Sequence, residues 1–240
     1  MVKYRYSFID FERTSMSNKT TLSEQIYQEL FHDITTQKLI FGQKLTLHDL
    51  KNRFQVSQTP VREALTRLID DGLVNYYSNL GVAVTEFTES DIQKLYQCIS
   101  ELDALAILFC KNSFTTAPLI YELEKIMEAG DKYLSEGNID KWRYYSDDVH
   151  LVFYRHAQNH YLDEAAKKVR AKIYFFSNMY YYDDPVHVEN IHMGHREILE
   201  NIKLGDFDEA ANIMRLHLQY NMVYALNAYK EAPKAKDTFK

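Results

Sequence analysis

From residue 88 to residue 230 the chain keeps one helical period with only five short interruptions, and that limits what it can build. The breaks fall at 115–118, 137–138, 159, 183–185 and 205–206, where Pro, Gly, Asn and Asp collect. The spacing predicts helices near 88–112, 118–136, 139–158, 160–182, 186–204 and 207–230. Long helices with short connections pack as an antiparallel bundle. The bundle opens on a Thr88-to-Asp91 capping signal.

The first 87 residues follow another rhythm. Residues 1–19 are polar and read as an arm. Leu22, Ile26, Leu30 and Ile34 then recur at helical spacing, and Phe41-Gly42 ends that pattern. A short segment at Lys44-Leu45-Thr46 leads to a second helix carrying Leu47, Leu50 and Phe54. After the tight connection Gln55-Val56-Ser57 a third helix runs from Gln58 to Asp71. Ser57 suits its N-cap, with a hydroxyl to take a free backbone N–H; Pro60 suits the first turn, and Gly72 the residue past the end. Val61, Ala64, Leu65 and Leu68 share one face, with Gln58, Thr59, Arg62 and Thr66 on or beside the other. Two β-prone runs split by Ser-Asn-Leu-Gly follow and read as a hairpin. This order predicts a winged helix-turn-helix over 20–86, an all-helical domain over 87–232 and a tail at 233–240, so a mainly α chain.

Charge supports a division of labour. The 240 residues carry a net charge of -6, yet residues 38–67 hold six bases against two acids. A basic module joined to an acidic one is expected when one part meets a polyanion. No run is long and uncharged enough to span a bilayer, and no apolar leader opens the chain, so a cytoplasmic protein is expected. Cys98 and Cys110, without CxxC spacing, read as reduced packing residues. Aromatic residues, 19 Tyr and 13 Phe, read first as core and interface side chains.

A helix with polar donors at its front, Arg on its outer face and aliphatics behind is what the major groove requires of a recognition helix. The stretch FGQKLTLHDLKNRFQVSQTPVREALTRLIDDGLVNYYSNLGVAV resembles the DNA-binding domain of the GntR family of bacterial transcription regulators. The resemblance implies base or groove contacts at His48, Gln58, Thr59, Arg62 and the wing tip near Gly81, and phosphate contacts at Lys44 and Ser57. Relatives usually carry Arg at position 58; Gln pairs with adenine where Arg would take guanine, so operator preference is expected to shift there. The Gly of the family's first helix is Gln37 here.

The later stretches HLVFYRHAQN and GHREILENIKLGDFDEAANIMRLHL resemble the FCD domain, the effector module of the FadR subfamily. His150, Asn159 and Leu162 match its first pattern; His195, Gly205-Asp206, Ala210 and His217 match its second. The resemblance implies a divalent metal, Zn, Ni, Mn or Fe, held by His150, His195 and His217 with an Asp, and often a small carboxylate completing the shell. Two positions depart. The Asp falls on Ser146, with Asp147 next to it as a substitute ligand, and the effector-gripping Arg falls on Ile99, with Asp103 in place of a Glu. A small organic acid is thus one candidate effector, and a less acidic or more apolar ligand gains weight. The remaining His156, His160, His187 and His192 read as surface or packing residues.

Together these features predict a DNA-binding transcription regulator, a repressor, working as a homodimer on a palindromic operator and controlled by a small-molecule effector. The competing readings are a metal-dependent hydrolase or lyase built on the three His, and a DNA-binding dimer with a vestigial sensor domain. No HExxH and no nucleophile–base pair supports the first of these.

Overall fold

The computed structural model describes residues 21–77, 81–180 and 185–232, with side chains through 177 in the middle segment. The arm at 1–19, the tail at 233–240 and the wing tip at 78–80 lie outside the described residues.

The N-terminal unit is α1 (Leu22–Thr35), β1 (Lys44–Leu45), α2 (Leu47–Phe54), α3 (Gln58–Asp70), β2 (Val74–Tyr77) and β3 (Gly81–Val84). Its sheet has the order β1-β3-β2 and is antiparallel, with Val74 opposite Val84 and Tyr77 opposite Gly81. Val74, Ala83 and Val84 are buried, and β2 packs on α3, whose inner face is Val61, Ala64, Leu65 and Leu68. Between α2 and α3 the chain reverses at Gln55, which takes the left-handed conformation (φ 54°). Ser57 is the N-cap of α3 as expected, but its hydroxyl makes no capping hydrogen bond and stays exposed. Tyr27 Oη donates to Asp71 Oδ2 at 2.7 Å, tying α1 to the end of α3.

Six long helices follow: α4 (Glu89–Cys110), α5 (Ala117–Ser135), α6 (Ile139–Ala157), α7 (His160–Tyr180), α8 (Pro185–Leu204) and α9 (Phe207–Glu231). Their starts are specified locally. Thr88 and Asp91 form a reciprocal capping box on α4. Asn138, Asn159 and Asp206 each accept a backbone N–H three residues on, which starts α6, α7 and α9. The breaks expected at Asn159 and Gly205-Asp206 are thus helix starts, capped by Asn159 and Asp206. α9 packs along α4, α7 and α8, and α4 also meets α6 and α7. Cys110 is buried and Cys98 exposed, both free; burial pushes the Cys110 thiol up to about 12. Among the described residues no helix is long and apolar enough to cross a membrane.

The two units are joined by an aromatic seam. Phe41 meets Phe175 (5.5 Å between centroids), Tyr229 (5.1 Å) and Phe87 (6.3 Å), and Phe87 meets Phe176 at 5.0 Å. Tyr229 also donates to the Phe87 carbonyl. Nearby, Phe31 of α1 stacks on Tyr174 of α7 at 5.6 Å. Gly72, at φ 72°, admits Lys172 of α7 so closely that a Cβ there would stand 2.6 Å from its Cε. Part of the Tyr and Phe enrichment therefore serves the junction between the units.

Phe41 is 0 % exposed at the centre of this seam. Phe41→Ala should lower stability by about 3–5 kcal/mol, measured by urea unfolding.

Candidate nucleic-acid interface and metal centre

The residues expected to contact DNA gather by simple helix geometry. Gln58, Thr59 and Arg62 are exposed, and spacings of three and four residues put them on the outer face of α3, opposite its buried stripe. Arg62 Nη2 donates back to Gln58 Oε1 at 3.3 Å, so the two exposed side chains brace each other. His48 on α2, Lys44 on β1 and Ser57 are exposed as well. Gly81 opens β3 with φ 82°, a conformation that suits the start of the wing's return strand. Arg67 does not join this face. It pairs with Glu24 and lies 4.1 Å over the Tyr27 ring, because position 67 turns toward α1.

The second cluster is built by α6, α8 and α9. His195 Nε2 lies 3.2 Å from His150 Nε2 and 3.1 Å from His217 Nε2, and all three residues are buried. Three ring nitrogens at a metal–nitrogen distance of about 2.1 Å stand about 3.0 Å apart in an octahedron and about 3.4 Å apart in a tetrahedron. The observed spacings fall between these values, so the residues present fit a divalent ion. Close approach depends on Gly194, where a Cβ would be 3.0 Å from His217 Nδ1.

His150 is oriented from behind. Its Nδ1–H donates to Asp103 Oδ2 at 2.8 Å, which leaves the Nε2 lone pair facing the other rings. Asp103 also accepts from Tyr154 Oη at 2.6 Å and from Arg170. Burial works to raise the Asp103 carboxyl, but Arg170 and the bonds from His150 and Tyr154 hold it below the usual range. Burial works to lower Arg170, yet Asp103 keeps it above its ordinary value. His195 and His217 are driven well below the ordinary imidazole value, by burial first and then by neighbouring imidazoles. Burial, followed by Arg170, lowers His150. Neutral imidazoles with free lone pairs are what a metal requires.

Asp147, expected as a fourth ligand, is not part of this group. It sits one residue, about 100° of helix, past the position that faces the rings. Its charge is felt instead by Arg143 and Arg170, and its Oδ2 is buried without a hydrogen-bond partner. Burial pushes its carboxyl up to about 7. Ile99 is fully buried one turn before Asp103 on α4. His192 is a packing residue, receiving Trp142 Nε1–H at 3.3 Å and donating to Asp131 at 2.5 Å. The supporting roles of Asp103, Tyr154 and Arg170 do not follow from the sequence patterns. The available signal is an acid and a base standing on otherwise apolar helical faces, which buried pairing alone permits.

An outward-facing recognition helix and hairpin, fused to a helical domain with a buried imidazole cluster, define a winged-helix DNA-binding protein with a helical second domain. Residues 22–84 match the model of bacterial regulatory proteins of the gntR family, and residues 94–220 match the FCD domain. The chain belongs to the GntR family, in the branch that carries an FCD domain, and it is a transcription regulator, not an enzyme. It is 24% identical over 208 residues to the uncharacterized HTH-type transcriptional regulator YdhC of Bacillus subtilis, covering 86% of this chain and 92% of that one. It is 22% identical to the HTH-type transcriptional repressor RspR of Escherichia coli, covering 86% and 90%. The solved structure of E. coli McbR/YncC shares the fold with a TM-score of 0.71 at 19% identity, covering 88% and 99%.

Asp147 should make stability fall as pH rises. Its carboxyl stays protonated in the folded protein up to about pH 7 and ionises near pH 4 once unfolded. Between those values the native state holds the extra proton, so stability falls as pH rises from about 4 and the loss is complete above the folded value. Urea unfolding with chelator at pH 5 and pH 8 checks this: Asp147→Asn should lose less stability between the two than the parent protein.

Proposed function

We propose that this regulator is a repressor that binds a palindromic operator as a homodimer and is controlled by a small molecule held at a divalent metal ion in the helical domain. The observation that carries the metal part is the convergence of three buried imidazoles, with His195 Nε2 3.2 Å from His150 Nε2 and 3.1 Å from His217 Nε2 and with His150 held by Asp103. His150, His195 and His217 would hold the ion. A bound divalent ion supplies Lewis-acid positions for an effector's oxygen donors. The repressor reading draws on relatives whose names say so, RspR among them.

Control needs a physical route to the winged helix, and α7 offers one. Arg170 belongs to the support of the His cluster, while Tyr174 and Phe175, within two turns, pack on Phe31 and Phe41 of the N-terminal unit. An effector that prefers one placement of α7 shifts the population of DNA-binding arrangements by its difference in affinity for them. In a two-fold dimer that placement sets the spacing of two recognition helices over successive major grooves.

Arg62→Ala should weaken operator binding by about 1–3 kcal/mol, roughly 10- to 100-fold, in a mobility-shift titration. Gln58→Arg should move preference from adenine toward guanine at one base of each half-site. His195→Ala should keep operator binding and lose the metal, measured by elemental analysis. Wild-type protein that takes up neither Zn(II) nor Ni(II) would overturn the metal-dependent reading.

A further inference from the structure

The three imidazoles have a fourth polar neighbour. Asn221 lies one turn after His217 on α9, is 4 % exposed, and places Nδ2 3.1 Å from His217 Nε2. Its Oδ1 is buried and has no hydrogen-bond partner. The two ends of a carboxamide are nearly equal in size, so a half-turn of the group exchanges them. In the orientation described, the N–H donates to a ring lone pair. In the exchanged orientation the oxygen takes the place beside His217 Nε2, which itself lies 3.1 Å from His195 Nε2. Residues four apart on one helix face can reach a common ion, as paired His residues at that spacing do.

We propose that Asn221 is a metal ligand of this chain: its amide oxygen joins His150, His195 and His217 and takes the role of the carboxylate that Ser146 cannot supply. The proposal rests on the metal reading given above. An amide oxygen is a neutral acceptor used by divalent cations. With four neutral ligands, the carboxylate bonded to the cluster is Asp103, which acts through His150 and is already engaged by Arg170. The ion's charge is then left for an incoming anion to balance, so an anionic ligand closes this site better than a neutral one. Ser146 Oγ is also buried without a partner, and it is the competing candidate that the experiment separates.

Full-length protein stripped with chelator is titrated with Ni(II) and Zn(II) by calorimetry and with Co(II) by absorption spectroscopy. Asn221→Leu, close in volume, should bind about 10- to 100-fold more weakly and alter the Co(II) spectrum. Asn221→Asp, isosteric and charged, should bind more tightly than the parent. Ser146→Ala should match the parent. Wild-type affinity and spectrum in Asn221→Leu, with binding lost in His195→Ala, overturns the Asn221 assignment and leaves the metal reading standing. A loss in Ser146→Ala but not in Asn221→Leu overturns it in favour of the serine. Absence of binding by the parent overturns both.

Discussion

The helical domain depends on one buried carboxylate. Asp103 is 0 % exposed on α4, yet it takes hydrogen bonds from α6, through His150 and Tyr154, and from α7, through Arg170. Desolvating Asp103 and Arg170 costs several kcal/mol per ion, and only their pairing with further hydrogen bonds offsets it. The arrangement is therefore an obligation: either partner alone would be an uncompensated charge in the core. The same bond that satisfies the acid fixes the tautomer of His150. Stability of the bundle and readiness of the imidazole cluster rest on one group.

That group also reaches toward the winged helix. Arg170 and Tyr174 are one turn apart on α7, about 6 Å along the axis, and Tyr174 stacks on Phe31 of the N-terminal unit. The aromatic seam around Phe41 and Phe87 continues the contact over the next residues. A regular helix transmits displacement along its length with little loss, unlike a flexible linker, because its backbone bonds are all made internally. The acidic surplus of the second unit stays with the bundle, while the exposed Arg62 and Lys44 stand on the first.

Much of this is legible in the residues. The 3.6 period and the Asn, Gly and Asp punctuation mark the bundle helices to within a few residues, because local capping and apolar spacing act without tertiary help. The recognition helix is legible for the same reason. Arg67 is not, because a position on the border between faces is assigned by its neighbours, here Glu24 and Tyr27 of α1. Residue type alone makes Ser57 a hydrogen-bonding cap, whereas the chain leaves its hydroxyl exposed. The three His are found by resemblance, which also singles out position 103 without its role, but Arg170 and Asn221 are not, since contacts between helices far apart in sequence leave no periodic trace. Asp147 looks equivalent to its neighbour because a one-residue offset seems small on paper; on a helix it turns the side chain away.

Gly194 carries a different kind of consequence. With no Cβ, it lets the backbone of α8 approach the His217 ring of α9 at a distance where any larger residue would press on Nδ1. The separation of His195 and His217 is thus gauged by a main chain in contact with a ring, not by pliable side chains. For the ion proposed above, such a gauge would discriminate by radius: one too large would have to push α8 and α9 apart along their packed length, whereas one that fits would ask nothing of the backbone.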